Sequence, residues 1–315
     1  ISCKQRMSKI SVVGQAGILV GFIAMIVIFS VLSPYFLTAE NLLSITVQSS
    51  VNAVIALGMT MVIISGGIDL SVGSVVALAG VVMATLMKSE IPVPVVIIIG
   101  FIIGLICGLF NGFLVAKLKL APFIVTLGSM SIVRGLALLY TNGKPIYGIP
   151  STVRWLGSGR ISIIPAPLII VVAAAIITYF ILRHTTFGEY VQAIGGNEEA
   201  ARLSGVSVDW YKTIVYAFSG LCSVLGALLL ISRVNAAEPI AGSGYELDAI
   251  AAAVMGGTSL SGGVGNILGT VIGALIIGGL RNGLNLLNVQ AFYQQVAIGI
   301  VIILAVILDK FGKTT

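Results

Sequence analysis

The chain has 315 residues, of which 58% are hydrophobic and only 9% charged, with a formal net charge of +6. An average soluble domain carries roughly 25% charged residues, so these residues cannot wrap themselves in a water-facing surface. Apolar runs of about twenty residues, the length that crosses a bilayer core, recur along nearly the whole sequence, and an all-α polytopic membrane protein is expected.

A basic head, Lys4, Arg6 and Lys9, precedes the apolar run from Val12 to Leu32. The run is too long for a signal peptide and no small-residue cleavage site follows it, so it reads as the first span. Length and breakers place spans near 14–33, 46–65, 70–87, 93–116, 121–140, 166–183, 212–232, 246–258, 264–281 and 290–309, about ten in a single transmembrane domain over 1–315. The second and eighth look short or interrupted, with glycine pairs at their ends. They belong in the interior, because irregular backbone at that depth is tolerated only where protein or water covers it.

With the first span starting inside, an even count returns both termini to the cytoplasm. Lys117, Lys119, Arg183, Arg202, Lys212, Lys310 and Lys313 then join the basic head inside, against Lys88, Lys144, Arg154, Arg160, Arg233 and Arg281 outside. That bias accounts for most of the positive charge, and no basic patch interleaved with aromatics suggests nucleic acid. Cys3, Cys107 and Cys222 lie far apart and suggest neither a disulfide framework nor a metal cluster.

Two polar segments exceed mere turns. The outer one, 141–165, is rich in Gly and Pro and reads as an irregular external loop with Trp155 at the interface. The inner one, 184–211, contains the breaker Gly195-Gly196-Asn197, and Asn197 can cap a short helix, Glu198 to Leu203, stopped at Gly205. Glu198 and Glu199 in its first turn and Arg202 near its end suit the helix dipole.

The stretch GGIDLSVGS returns as GGTSLSGG, pairing Gly66, Gly67, Leu70, Ser71 and Gly73 with Gly256, Gly257, Leu260, Ser261 and Gly263. Asp69 is an intramembrane acid and hence a candidate proton site, or else a cap where a new helix begins. Its counterpart Ser259 can cap but cannot carry a proton, which favours the cap. Thr126, Ser129 and Val133 make a narrow polar stripe beside Met130, and Asn52, Asn111, Asn282, Asn285, Gln294 and Gln295 add neutral amides. Such groups hydrogen-bond sugar hydroxyls without trapping an ion, and they equally bond across helix interfaces. The candidate pathway or gate residues are Asn52, Asp69, Ser71, Asn111, Thr126, Ser129, Asn282 and Asn285.

Glu246 and Asp248 read as ordinary carboxylates at a helix start. Arg134 is either internally paired or near the pathway, and His184 is an interfacial base. No catalytic constellation or metal-ligand spacing is visible. The tail Gly312-Lys313-Thr314 is not a phosphate loop, since the position needing the first glycine is Ile307. Any ATP must be bound by another polypeptide.

In order, GGIDLSVGS, TNGKPI, AIGGNEEAARLSG, GSGYELDAIAAAVMGGTSLSGG and LRNGLNLLNVQAFYQQ closely resemble the permease subunit of bacterial ribose-type ABC importers, which handle monosaccharides and the related autoinducer-2. The resemblance runs from about Pro34 to Asp309. It implies a multi-pass subunit of the bacterial cytoplasmic membrane that pairs with itself or a close paralogue. Its partners would be a cytoplasmic ATPase, which holds ATP and Mg, and an extracytoplasmic sugar-binding protein; no cofactor is bound directly. It implies a helical fold akin to the cobalamin-importer permease and a coupling helix between the sixth and seventh spans. Gly195, Gly196, Asn197, Glu198, Glu199, Ala200, Arg202 and Gly205 would then dock into the ATPase. Ribose is the first cargo expected, although Asn288-Val289-Gln290-Ala291 departs from typical ribose permeases. An ion- or proton-coupled secondary transporter of a small neutral solute is the alternative; a channel or membrane enzyme has less to support it.

Overall fold

A computed structural model describes residues 21–312, so the basic head, Cys3, the start of the first predicted span and the tail residues Lys313 and Thr314 lie outside the described residues. In chain order the helices are α1 (Gly21–Leu32), α2 (Ala39–Ile64), α3 (Val72–Lys88), α4 (Val93–Ala116), α5 (Pro122–Thr141), α6 (Ser151–Ser158), α7 (Ala166–His184), α8 (Thr186–Gly196), α9 (Glu198–Leu203), α10 (Val208–Val234), α11 (Tyr245–Met255), α12 (Ile267–Leu286) and α13 (Ala291–Gly312). Among the described residues six helices, α2, α4, α5, α7, α10 and α12, are long and apolar enough to cross a membrane. The protein is a helical, multi-pass membrane protein.

Local chemistry sets the helix ends. Proline stands in the first turn of α4, α5 and α7, where its missing N–H has no intrahelical partner to lose. Asn142 and Asn235 end α5 and α10 in the left-handed conformation, which asparagine tolerates better than other side-chain-bearing residues.

Helices α2 and α10 form the centre. The apolar window of α2 is 83% buried and that of α10 is 78%, against 22% for α4. The second predicted span is therefore interior, as expected, but it is not interrupted: α2 runs unbroken for 26 residues. Gly58 does not break it, because that glycine serves packing: a Cβ there would lie 2.9 Å from the Cα of Ser219 on α10. The eighth predicted span is the 11-residue α11, about 16 Å of helix, too short to cross alone.

α4 lies flush on α10 through a glycine row. A Cβ on Gly104 would stand 2.5 Å from Gly220 O, one on Gly108 2.3 Å from Tyr216 O, and one on Gly112 2.6 Å from Thr213 Cα. Glycines at helical spacing let backbones approach where no hydrophobic force pushes helices together in lipid. Gly108→Val is expected to destabilise the fold by about 1–3 kcal/mol through overpacking, seen as a lowered thermal midpoint in detergent; Gly135→Val on α5, where a Cβ meets nothing within 4 Å, is the control.

The segment 141–165 is more ordered than the irregular loop expected there. It contains α6, and two-residue ladders pair β1 (Ile146–Tyr147) with β4 (Ala236–Ala237) and β2 (Arg160–Ile161) with β3 (Ile164–Pro165). Val153 and Gly157 are buried one turn apart on α6, and Gly157 seats the helix on α10, where its Cβ would meet Arg233 N at 2.3 Å. Asn235 Oδ1 accepts from Ile149 N at 3.1 Å and ties the segment down.

Candidate functional site

The two matched motifs are helix breaks, and each opens with the same cap. At the end of α2, Gly66 N donates to Ile63 O at 2.9 Å and Gly67 N to Val62 O at 3.0 Å; after α11, Gly257 N donates to Val254 O and Thr258 N to Ala253 O, both at 2.9 Å. Gly66 and Gly257 take φ of 82° and 86°, the left-handed turn that closes this double cap and that glycine adopts without penalty. The sequence repeat pairs Gly66 with Gly256, so the caps are out of step with it by one position.

Beyond the caps the sequence pairing returns. Ser71 N donates to Asp69 Oδ1 at 3.0 Å, and Ser261 N to Ser259 Oγ at 3.3 Å, the same side-chain turn in both copies. The residue that absorbs the slip is Ile68. Its carbonyl, left outside any helix, accepts from Thr126 Oγ1 on α5 at 3.2 Å and from Tyr216 Oη on α10 at 3.4 Å.

Asp69 caps this turn rather than the first turn of α3. The helix starts only at Val72, with Ser71 in the cap position and no side-chain cap bond, so the first amide within reach of the carboxylate is that of Ser71. Ser71 Oγ also donates to Asp69 Oδ1 at 2.6 Å, and Ser219 Oγ on α10 donates to Oδ2 at 2.8 Å. Asn111 Nδ2 on α4 donates to Ser71 Oγ at 2.9 Å. Asp69, Ser71, Asn111 and Thr126 are each at most 1% exposed. This set joins the broken stretch to α4, α5 and α10. Ser129 is buried on the face of α5 that carries Thr126. Sequence reading missed Ser219 and Tyr216, which look like ordinary residues of an apolar span.

Ser259 does not cap the next helix as expected. α12 begins later, and its cap is Asn266, whose Oδ1 accepts from Gly269 N at 3.2 Å. The loop between lies against the first break: Gly263 N donates to Ile64 O at 2.9 Å. Both breaks therefore stand at the same end of the molecule, and the copies run in the same direction.

The remaining predicted polar residues gather elsewhere, along α2, α11 and α12. Asn52 Nδ2 donates to Asp248 Oδ2 at 3.1 Å, and Arg281 Nη2 reaches both Asp248 oxygens at 3.0 and 2.7 Å. Asp248 is thus the buried half of an ion pair, not merely a helix-start carboxylate; Glu246 keeps that local role, accepting from Gly244 N at 3.2 Å. Asn282 is buried one residue on from Arg281. Asn285 is apart from them, accepting from Gln294 Nε2 of α13 at 2.7 Å. Arg134 is internally paired, donating to Pro239 O and Ala241 O at 2.9 and 2.6 Å.

In the segment 184–211 the capping argument holds. Asn197 Oδ1 accepts from Ala200 N at 3.0 Å, α9 spans Glu198–Leu203, and Gly205 follows with φ of 86°. The predicted breaker Gly195-Gly196-Asn197 does interrupt the helix, and the interruption falls on its last residue: α8 continues through both glycines and ends against the extended Asn197. Gly195 faces inward: a Cβ there would lie 1.7 Å from Ile64 O and 2.5 Å from Gly263 N. The end of α8 is wedged where the two breaks meet. α9 is mounted on α10 by Lys212–Glu198 at 2.7 Å and Arg202–Asp209 at 3.1 Å. Gly196, Asn197, Glu198, Glu199, Ala200 and Gly205 face solvent. So does Leu203, 81% exposed, a residue the sequence did not single out.

The chain is similar to the ribose import permease protein RbsC of Bacillus subtilis (strain 168), 49% identical over 301 residues that cover 95% of this chain and 94% of the relative. It is 46% identical to the protein of the same name from Escherichia coli (strain K12), over 93% of this chain and 92% of that one. It is 42% identical to the D-allose transport system permease protein AlsC of Escherichia coli (strain K12), over 90% and 88%. No solved structure matches. The family model described as branched-chain amino acid transport system / permease component matches residues 41–306, a range that contains both breaks and the α8–α9 element, and the chain belongs to that family.

Proposed function

We propose that this protein is the membrane permease subunit of an ATP-driven importer that carries a monosaccharide, ribose or a related sugar, from a binding protein into the cytoplasm. The observation that carries this reading is the wedge of α8. An exposed, charge-bearing helix hairpin on the cytoplasmic side reaches, through Gly195, the junction of two breaks inside the membrane. A push on α9 is thereby delivered to the interior. The exposed Leu203 and the acidic first turn of α9 are the surface offered to the groove of a cytoplasmic ATPase, which holds ATP and Mg.

In this reading α1–α5, α7 and α10–α13 make the ten membrane segments of one permease domain, akin to the cobalamin-importer class. Both ends lie in the cytoplasm, and a second copy or close paralogue completes the pathway. The test is co-purification with the ATPase followed by uptake of labelled sugar into vesicles. ATP with loaded binding protein should drive uptake; uptake driven by a proton gradient alone would instead establish the secondary transporter.

The mount of α9 yields a second test. Partial burial raises the Glu198 carboxyl, but hydrogen bonds and charge from Lys212 and Arg202 outweigh it and hold the group below the ordinary glutamate value. A lowered carboxylate contributes stability that is complete above its unfolded value, about 4.3, and is lost as pH falls through the folded one. The mount is therefore intact at neutral pH. Glu198→Ala or Arg202→Ala should stop transport from following ATP hydrolysis while the complex still assembles, and transport equal to wild type in both variants would remove α9 from the coupling route.

A further inference from the structure

The seam between α2, α11 and α12 holds more hydrogen-bonding atoms than it uses. Asp248, 2% exposed, is held by Arg281 and Asn52. Asn52 Oδ1, Arg281 Nε, Asn282 Oδ1 and Ser49 Oγ are nevertheless buried without partners. Interiors leave few polar atoms unpaired, and these belong to three neighbouring turns of two packed helices. Ser49 faces α12 directly, since a Cβ on Gly278 would meet its Oγ at 1.8 Å.

The side chain of Arg281 is 41% exposed. A charged group on a spanning helix looks toward a water-filled space or a protein partner rather than lipid. One turn before Asp248, Tyr245 carries the seam to a cavity of about 250 Å³ between α3, α10 and the loop ahead of α11. Arg233 lines that cavity, and its Nη1 is also buried and unpartnered.

We propose that this seam is a sugar-hydroxyl subsite within the permease itself, built on Asn52, Asn282, Ser49 and the Asp248–Arg281 pair and entered from the Arg233–Tyr245 cavity. The inference rests on the reading of the chain as a sugar permease. The chemistry selects an uncharged polyol. Asn52 Oδ1 and Asn282 Oδ1 take hydroxyl hydrogens, and Arg281 Nε gives one to a hydroxyl or ring oxygen. An ionic solute would compete for one member of the Asp248–Arg281 pair and leave the other uncompensated.

The experiment uses the permease–ATPase complex in lipid nanodiscs, without binding protein, and measures binding of labelled D-ribose, D-allose and L-arabinose at millimolar concentration. At least one should bind, with D-ribose 5-phosphate failing to compete. Asn52→Leu and Asn282→Leu should each weaken that binding by about tenfold, the loss of roughly one to two hydrogen bonds. ATP hydrolysis stimulated by loaded binding protein should be retained, and Asn52→Ser, which keeps an oxygen, should recover part of the binding. Equal binding by wild type and both leucine variants overturns the subsite while leaving the permease reading intact. A joint loss of binding, stimulated hydrolysis and thermal midpoint makes the seam structural and also overturns it. Failure of the wild type to import any sugar with ATP removes the permease reading instead.

Discussion

Gly195→Ala is expected to cut ATP-driven uptake by about 10- to 100-fold, the span of a typical coupling energy, while Gly196→Ala is expected to stay within about twofold, as surface changes usually do. The two glycines are adjacent on α8, yet a Cβ on Gly195 would stand 1.7 Å from Ile64 O, and one on Gly196 meets nothing within 4 Å. The methyl group cannot be absorbed by a rotating side chain, because the atoms it meets are backbone. It must lift α8 off the junction or part Gly263 N from Ile64 O. Uptake and binding-protein-stimulated hydrolysis in the same proteoliposomes check this. Hydrolysis should survive better than uptake, and a parallel loss of both in Gly195→Ala would mean that the complex had simply unfolded.

The second large effect lies at the first break. Asp69→Leu would leave the Ser71 amide and the Ser71 and Ser219 hydroxyls without their acceptor, at about 1–3 kcal/mol for each buried orphan. Asp69→Asn keeps the turn, because its amide oxygen accepts from Ser71 and its amide hydrogen meets the Ser219 hydroxyl, which can rotate to accept. The leucine variant should lose about 3 kcal/mol or more, and the asparagine variant about 1 kcal/mol or less. Gly67→Val should be worse than Asp69→Asn: its Cβ would lie 2.4 Å from Tyr216 Oη, displacing a fully buried ring and the bond it gives Ile68 O. Thermal unfolding in detergent ranks the three. Uptake by Asp69→Asn should keep the pH profile of wild type; a loss confined to one side of that profile would return Asp69 to the role of proton carrier.

What could be read beforehand follows the range of the forces involved. Asn197 capping α9, and Gly205 ending it, depend on residues within one turn, so spacing alone gave them. The polar stripe Thr126–Ser129 was legible as a face, though not that its target is the carbonyl of Ile68. The one-residue slip between the breaks was invisible, because glycines at either position satisfy the same string match. Only the backbone shows which one turns left-handed. Gly195 and Gly196 were equally indistinguishable, since inward and outward differ by what another part of the chain brings near. The order in α6 was hidden for the same reason: its face packs on α10, far away in sequence.

The Gly263–Ile64 bond joins amide to carbonyl, with no ionisable group at either end. The mount of α9, by contrast, is made of ion pairs whose partners are partly in water. Dissolved ions screen exposed charges over about 8 Å at physiological strength and about 3 Å at 1 M, and leave a main-chain bond between uncharged groups untouched. The α8–α9 element thus has one joint that responds to ionic strength and one that does not. Concentrated salt should therefore loosen the grip of α9 on α10 before it disturbs the meeting of the breaks, so α9 can slip while the two breaks stay joined.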